Sequence, residues 1–275
     1  MGQDHQSALD VLLHGTAADA TRALEQFVLR LAQLHGATAR ELGRYDVLMA
    51  TAQATETPKK LAYFGQDSAE KLCAFLREIE PLSDELATAI HAAVSRLEEP
   101  GPFRAFIHGD PCLDNALIRG SELLLIDFEM GRPGHALLDA VYVLAPFPTC
   151  GCAGSLPNDL AFALLELYRQ ELSRHIPAAA DPPVFNAAVL DACSGWLVFR
   201  LGWLLRDAWQ SDDRPWDIGT SRGRILSGLE QYLLVSHALG GPTRLRGSSE
   251  RLLAELRRRW PESAPLPLYP AFRTG

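Results

Sequence analysis

His108, Gly109 and Asp110 follow the apolar pair Phe106 and Ile107, Asn115 stands five residues after the acid, and a second acid, Asp127, comes at the far end of the stretch 105–129. Two carboxylates and an amide oxygen at such spacing suit a divalent cation held against a phosphate. Magnesium takes oxygen ligands, commonly only one or two of them carboxylates, and keeps places for water and substrate phosphates. Gly109 permits a sharp turn where the buried run ends. The turn sets Asp110 at the lip of a loop, where a carboxylate can accept a proton from an attacking hydroxyl. Pro111 stiffens the next step. The Asn115 side chain offers a carbonyl oxygen to a metal and an amide to the loop backbone.

The neighbouring elements must bring these groups together. Segments 116–119 and 122–126 read as short strands, with Gly120 and Ser121 as a two-residue turn of the primed type. The hairpin returns Asp127 beside Asn115. Upstream, Leu24, Phe27, Val28, Leu31 and Leu34 predict an amphipathic helix over 20–35, capped by Asp19 and stopped by Gly36. Further helices are expected at 68–79, with Asp67 and Glu70 as a capping box, and at 84–97. Segment 40–60 reads as a loop with a short helix, with Lys59 and Lys60 as a solvated basic patch. Downstream, helices are expected at 135–144, at 159–175 with Asn158 as cap, from Pro182 to about Trp209, at 222–239 and at 249–260. Segment 211–219 reads as a polar loop, and the Pro-rich tail from Pro261 as irregular.

The order HGDxxxxN, hairpin, IDFE resembles the aminoglycoside phosphotransferase and choline kinase group, which is similar to protein kinases. The resemblance implies ATP as phosphoryl donor, Mg²⁺ as cofactor and a small hydroxylated molecule as acceptor. It implies Asp110 as catalytic base with His108 bracing its loop, and Asn115 and Asp127 as the metal and cofactor contacts. Glu129 becomes a secondary metal or loop contact. Gly109 and Asp139 become structural supports, Asp139 at the start of the next helix. The LAQLHG end of the first long helix is also similar to that group, with His35 read as a core or loop-bracing histidine. A plain turn with scattered acids is the weaker reading, because four positions match in the right strand context.

The implied fold is mainly α: a kinase-like C-terminal lobe, helical, with one small central hairpin at the catalytic loop. Residues 1–240 are expected to form this lobe, and 241–275 a final helix and tail. The segment before His108 shows neither a glycine-rich loop between strands nor a strand lysine for the α- and β-phosphates. Lys59 and Lys60 follow the LAQLHG helix and do not take that part. The expectation is therefore a chain without the N-terminal lobe, its resemblance spanning 9–232 and specific in 106–139. This leaves an alternative function: a catalytically weak or inactive module that binds or scaffolds, its uncovered apolar face taking a partner chain or a second copy. A metal-dependent hydrolase on His108, Asp110 and Asp127 ranks lower, since no further ligand cluster completes it.

Composition narrows the rest. With 275 residues and 47% hydrophobic content, the chain can bury a large core. The net charge of -8 argues against a general nucleic-acid binder. Five cysteines, without disulfide-like spacing, predict reduced thiols and a cytoplasmic setting. Cys150 and Cys152 form a lone CxC without a second pair for zinc. The start, MGQDHQ, shows no secretory pattern. The apolar segment 187–205 carries Asp191 and Arg200 and reads as a buried helix, so no membrane partner is expected. The acceptor is expected against the C-terminal helices, near Trp196, Trp203, Trp209, Trp216, Asp212 and Asp213. Core packing is favoured for the tryptophans of the long helix.

Overall fold

The structure is a computed structural model that describes residues 6–52, 65–79, 83–120, 122–241 and 243–273. Lys59, Lys60 and Ser121 lie outside them. In chain order the elements are β1 (Gln6–Ser7), α1 (Ala8–His14), α2 (Ala17–Thr38), α3 (Leu42–Ala52), α4 (Gln66–Ile79), α5 (Asp84–Glu98), β2 (Arg104–Ile107), β3 (Ala116–Arg119), β4 (Glu122–Leu125) and β5 (Arg132–His135). There follow α6 (Leu137–Ala140), α7 (Asn158–Ser173), α8 (Pro182–Gln210), β6 (Pro215–Trp216), β7 (Gly219–Thr220), α9 (Ser221–Leu239) and α10 (Thr243–Arg259). The mainly α expectation holds.

The helix α2 forms because its apolar residues recur at three- and four-residue steps, and Leu24, Phe27, Val28 and Leu31 are fully buried. It packs on α7, while α8 packs on α4, α5 and α9. Helix α8 is long and apolar enough to cross a membrane, but 83% of its most apolar window is buried inside the protein. That is the burial of a core helix, as its interior Asp191 and Arg200 foretell.

Three expected caps are displaced by one turn or less. Thr16, not Asp19, caps α2: its hydroxyl accepts from the Asp19 backbone N–H at 3.2 Å. Asp67 lies inside the first turn of α4, and Asn158 begins α7 rather than capping it. Nor does Gly36 stop α2. A Cβ there would meet the His175 ring at 2.5 Å, so the glycine admits a close crossing and the helix runs on to Thr38.

The hairpin β3–β4 has the expected register, with Ala116 opposite Leu125 and Arg119 opposite Glu122. Gly120 sits at φ +62°, as a primed turn requires. Sequence reading missed the strands around the hairpin. β1 pairs with β3, and β2 pairs antiparallel with β5, Ile107 opposite Arg132. His135, expected to open a helix, instead ends β5, and the following helix is short. The tail is mostly irregular but docked: Tyr269 is fully buried and its hydroxyl donates to the Cys152 carbonyl at 3.2 Å.

One cysteine expectation is corrected. Cys112 and Cys150 pair as a disulfide with Cα atoms 5.5 Å apart, across a sequence separation of 38. A separation that long carries no local signal. Cys73, Cys152 and Cys193 are free and buried.

Candidate active site

The loop after β2 is built around one buried carboxylate. Asp139, near the start of α6, accepts the His108 backbone N–H at 2.6 Å on Oδ2 and the Gly109 N–H at 3.1 Å on Oδ1. Its Oδ2 also accepts from His35 Nε2 at 3.1 Å. The other His35 nitrogen, Nδ1, lies 2.7 Å from the Tyr168 hydroxyl. An ionised carboxylate only accepts, so His35 holds a proton on Nε2 toward Asp139. His35 thus ties α2 and α7 to the loop.

Gly109 occupies φ +82°, and a Cβ there would stand 2.4 Å from the Met130 carbonyl oxygen. The turn therefore demands glycine twice over, by conformation and by space. His108 is buried; its Nε2 donates to the Ile126 carbonyl at 2.8 Å, and its ring lies 4.5 Å from that of Phe128. It braces the Asp110 loop against the segment that ends in Asp127. Its Nδ1 is buried with no partner among the described residues.

Asp110 is half-buried and lines a cleft of about 470 Å³ between α4 and α8, with Asp67, Ser68, Lys71, Thr149, Phe199, Gly202 and Trp203. Burial pushes its carboxyl above the usual carboxylate range, opposed by a hydrogen bond from Thr149, with Asp114 and Asp127 adding to the rise. The Asn115 amide donates to the Asp110 backbone carbonyl at 3.1 Å, which leaves its side-chain oxygen for another partner. The Ile126 N–H donates to the Asn115 carbonyl at 2.9 Å and so brings Asp127 alongside. Asp127 itself is exposed and held at φ +62°, a left-handed conformation uncommon for a non-glycine residue and concentrated at functional sites. Glu129 lies exposed in the short turn after Asp127.

The structure thus brings His108, Gly109, Asp110, Asn115, Asp127 and Asp139 into one contiguous unit. Of the aromatic candidates only Trp203 lines the cleft. It is 49% exposed, with the Phe199 ring tilted against it and the Trp216 ring edge-on. Trp196 is core, donating to the Leu138 carbonyl at 2.9 Å. Trp209 packs on Phe75, and Asp213 accepts the Arg222 backbone N–H. Sequence reading missed the α4 wall and Thr149, which carry no motif.

Fold and site together define a helical protein whose loop and hairpin carry an acid that lines a cleft, Asp110, with an amide and a second acid, Asn115 and Asp127, on the same unit. Residues 2–174 match the sequence profile of the Phosphotransferase enzyme family, and the chain belongs to that family, the aminoglycoside phosphotransferase and choline kinase-like group. A comparison with curated proteins finds no match.

Proposed function

We propose that this phosphotransferase moves the γ-phosphoryl group of ATP to a hydroxyl of a small molecule seated between α4 and α8. The observation that carries the reading is the position of Asp110. It is a carboxylate lining a cleft of small-molecule size, on the loop that also carries Asn115. Asp110 accepts the acceptor's hydroxyl proton, and partial burial raises its basicity for that task. The donor set fits Mg²⁺: Asn115 turns its amide inward to the loop, and Asp127 is exposed beside it, an all-oxygen pair suited to a hard cation. When bound, the metal neutralises phosphate charge, which with positioning supplies most of the catalysis in phosphoryl transfer. His108 and Asp139 keep the loop in register, and Trp203 and Phe199 give the acceptor an apolar wall.

The kinase-like lobe architecture belongs to the same proposal. The test is calorimetry with Mg-ATP, followed by ADP release with kanamycin, choline, glucose and serine as acceptors. Wild type should bind Mg-ATP and turn over one of these classes. Asp110→Asn should lose about 100-fold or more in kcat, the usual scale of a general base. Full turnover by Asp110→Asn would reject the assignment of the base, and failure to bind Mg-ATP would favour a scaffold role.

A further inference from the structure

Thr149 lies 39 residues beyond Asp110, in the loop between α6 and α7, and its hydroxyl donates to Asp110 Oδ1. The same oxygen, Oγ1, lies 2.9 Å from the hydroxyl of Tyr142, a side chain that is fully buried. A hydroxyl has one proton to give. Since Thr149 gives its proton to the carboxylate, Tyr142 must be the donor to Thr149. The direction of the chain is fixed: Tyr142 to Thr149 to Asp110. Among the described residues no hydrogen bond to Asp110 Oδ2 is found, whereas Oδ1 is held by Thr149 and has the Cys112 sulfur 3.2 Å away.

The loop that delivers Thr149 is pinned on both sides. Arg200 Nη2 donates to the carbonyls of Ala145 at 2.9 Å and Pro146 at 3.2 Å. Arg224 Nη2 donates to those of Cys150 and Gly151, each at 2.5 Å. Both guanidinium groups are buried, and among the described residues their hydrogen bonds go to backbone oxygens. Between the pinned ends, buried Phe147 is held at φ +42°. Such a conformation persists only where the surroundings over-determine it. The Cys112–Cys150 disulfide then joins this loop to the one carrying Asp110.

We propose that Thr149, backed by Tyr142, is a positioning residue that fixes Asp110 Oδ1 so that Oδ2 alone meets the acceptor hydroxyl. The assignment rests on Asp110 acting as the base. It adds that the orientation of the base is set by a loop remote in sequence and not by the His-Gly-Asp loop alone. The proton donated by Thr149 stays on Thr149; its role is to orient the carboxylate, and the acceptor's proton passes to Oδ2.

The test combines crystal structures and kinetics of Thr149→Val, Thr149→Ser and Tyr142→Phe in the full chain. Thr149→Val should release the Asp110 carboxylate into a second rotamer, while Thr149→Ser keeps the wild-type one. With the responsive acceptor of the panel above, Thr149→Val should lower kcat about 30-fold at unchanged KM for Mg-ATP, a loss on the scale of a misplaced catalytic group. Thr149→Ser should stay within about threefold of wild type and Tyr142→Phe should lose about fivefold, because only the second link of the chain is cut. A Thr149→Val protein that keeps Asp110 in its wild-type orientation, or turns over at the wild-type rate, overturns the proposal. Should every acceptor be silent with wild type, the phosphoryl-transfer reading falls by itself, and the Asp110 rotamer still decides the role of Thr149.

Discussion

Asp139 is the place where one atom's chemistry can be changed with a calculable result. Its two oxygens accept the His108 and Gly109 backbone N–H groups and His35 Nε2, all buried. In Asp139→Asn the amide keeps the size of the side chain but has only one acceptor oxygen. Its best orientation leaves the oxygen toward His108 and His35 and turns the NH₂ against the Gly109 N–H. One buried donor is orphaned, at about 1–3 kcal/mol, and the bonds to a charged acceptor weaken to neutral ones. The sum is about 3 kcal/mol, a Tm lower by roughly 6–12 °C in a chain of this size. Activity should fall as well, because the orphaned N–H belongs to the residue before Asp110. The assay is thermal denaturation by circular dichroism beside ADP release, with Asp159→Asn on an exposed residue as the control, expected to change stability by no more than about 0.5 kcal/mol. If Asp139→Asn melts within about 2 °C of wild type and keeps its kcat, the loop does not depend on this carboxylate.

Two further outcomes are expected. Burial and nearby His35 pull His135 down to about 4, and its Nδ1 accepts the Leu137 N–H at 3.2 Å, so the fold holds the neutral ring. The unfolded group titrates near 6.5. Stability from this residue is therefore complete above about pH 6.5 and drains as pH falls toward 4, by roughly 3 kcal/mol. Urea midpoints across that window should slope in wild type and flatten in His135→Gln; equal slopes would refute the assignment. For the Cys112–Cys150 pair, closing a loop of 38 residues removes chain entropy worth about 4 kcal/mol at 25 °C. Cys112→Ser/Cys150→Ser should shift the urea midpoint downward accordingly, and an unmoved midpoint would show that the bridge contributes no stability.

The His-Gly-Asp loop was legible because its signals are local. A glycine at a forced turn, an acid beside it, an amide five residues on and a two-residue hairpin turn all fall within a short stretch. The long helices were legible for the same reason, since a 3.6-residue period is written along the chain. What escaped is non-local. The β2–β5 pairing joins an apolar strand to Arg132–His135, whose proline and glycine give no strand signal, and it forms because Ile107 closes over Gly134. The Thr16 cap was missed because Asp19, three residues later, is also a good capping type. Gly36 was misread because the ring of His175, which needs that space, is remote in sequence. Thr149 and the disulfide are likewise products of packing, visible only once Arg200 of α8 and Arg224 of α9 have pinned the loop between α6 and α7.

The docked tail has a consequence for how the chain matures. Leu266 N–H donates to Ser227, Ser155 N–H donates to Pro267, and Tyr269 closes on the Cys152 carbonyl, so residues 266–269 lie behind the segment that delivers Thr149. During synthesis the earlier helices can collapse as they emerge, but this buttress arrives only after α10 has been made. A nascent polypeptide stalled before Leu266 would carry every residue of the His-Gly-Asp loop and still lack the backing that sets its acid.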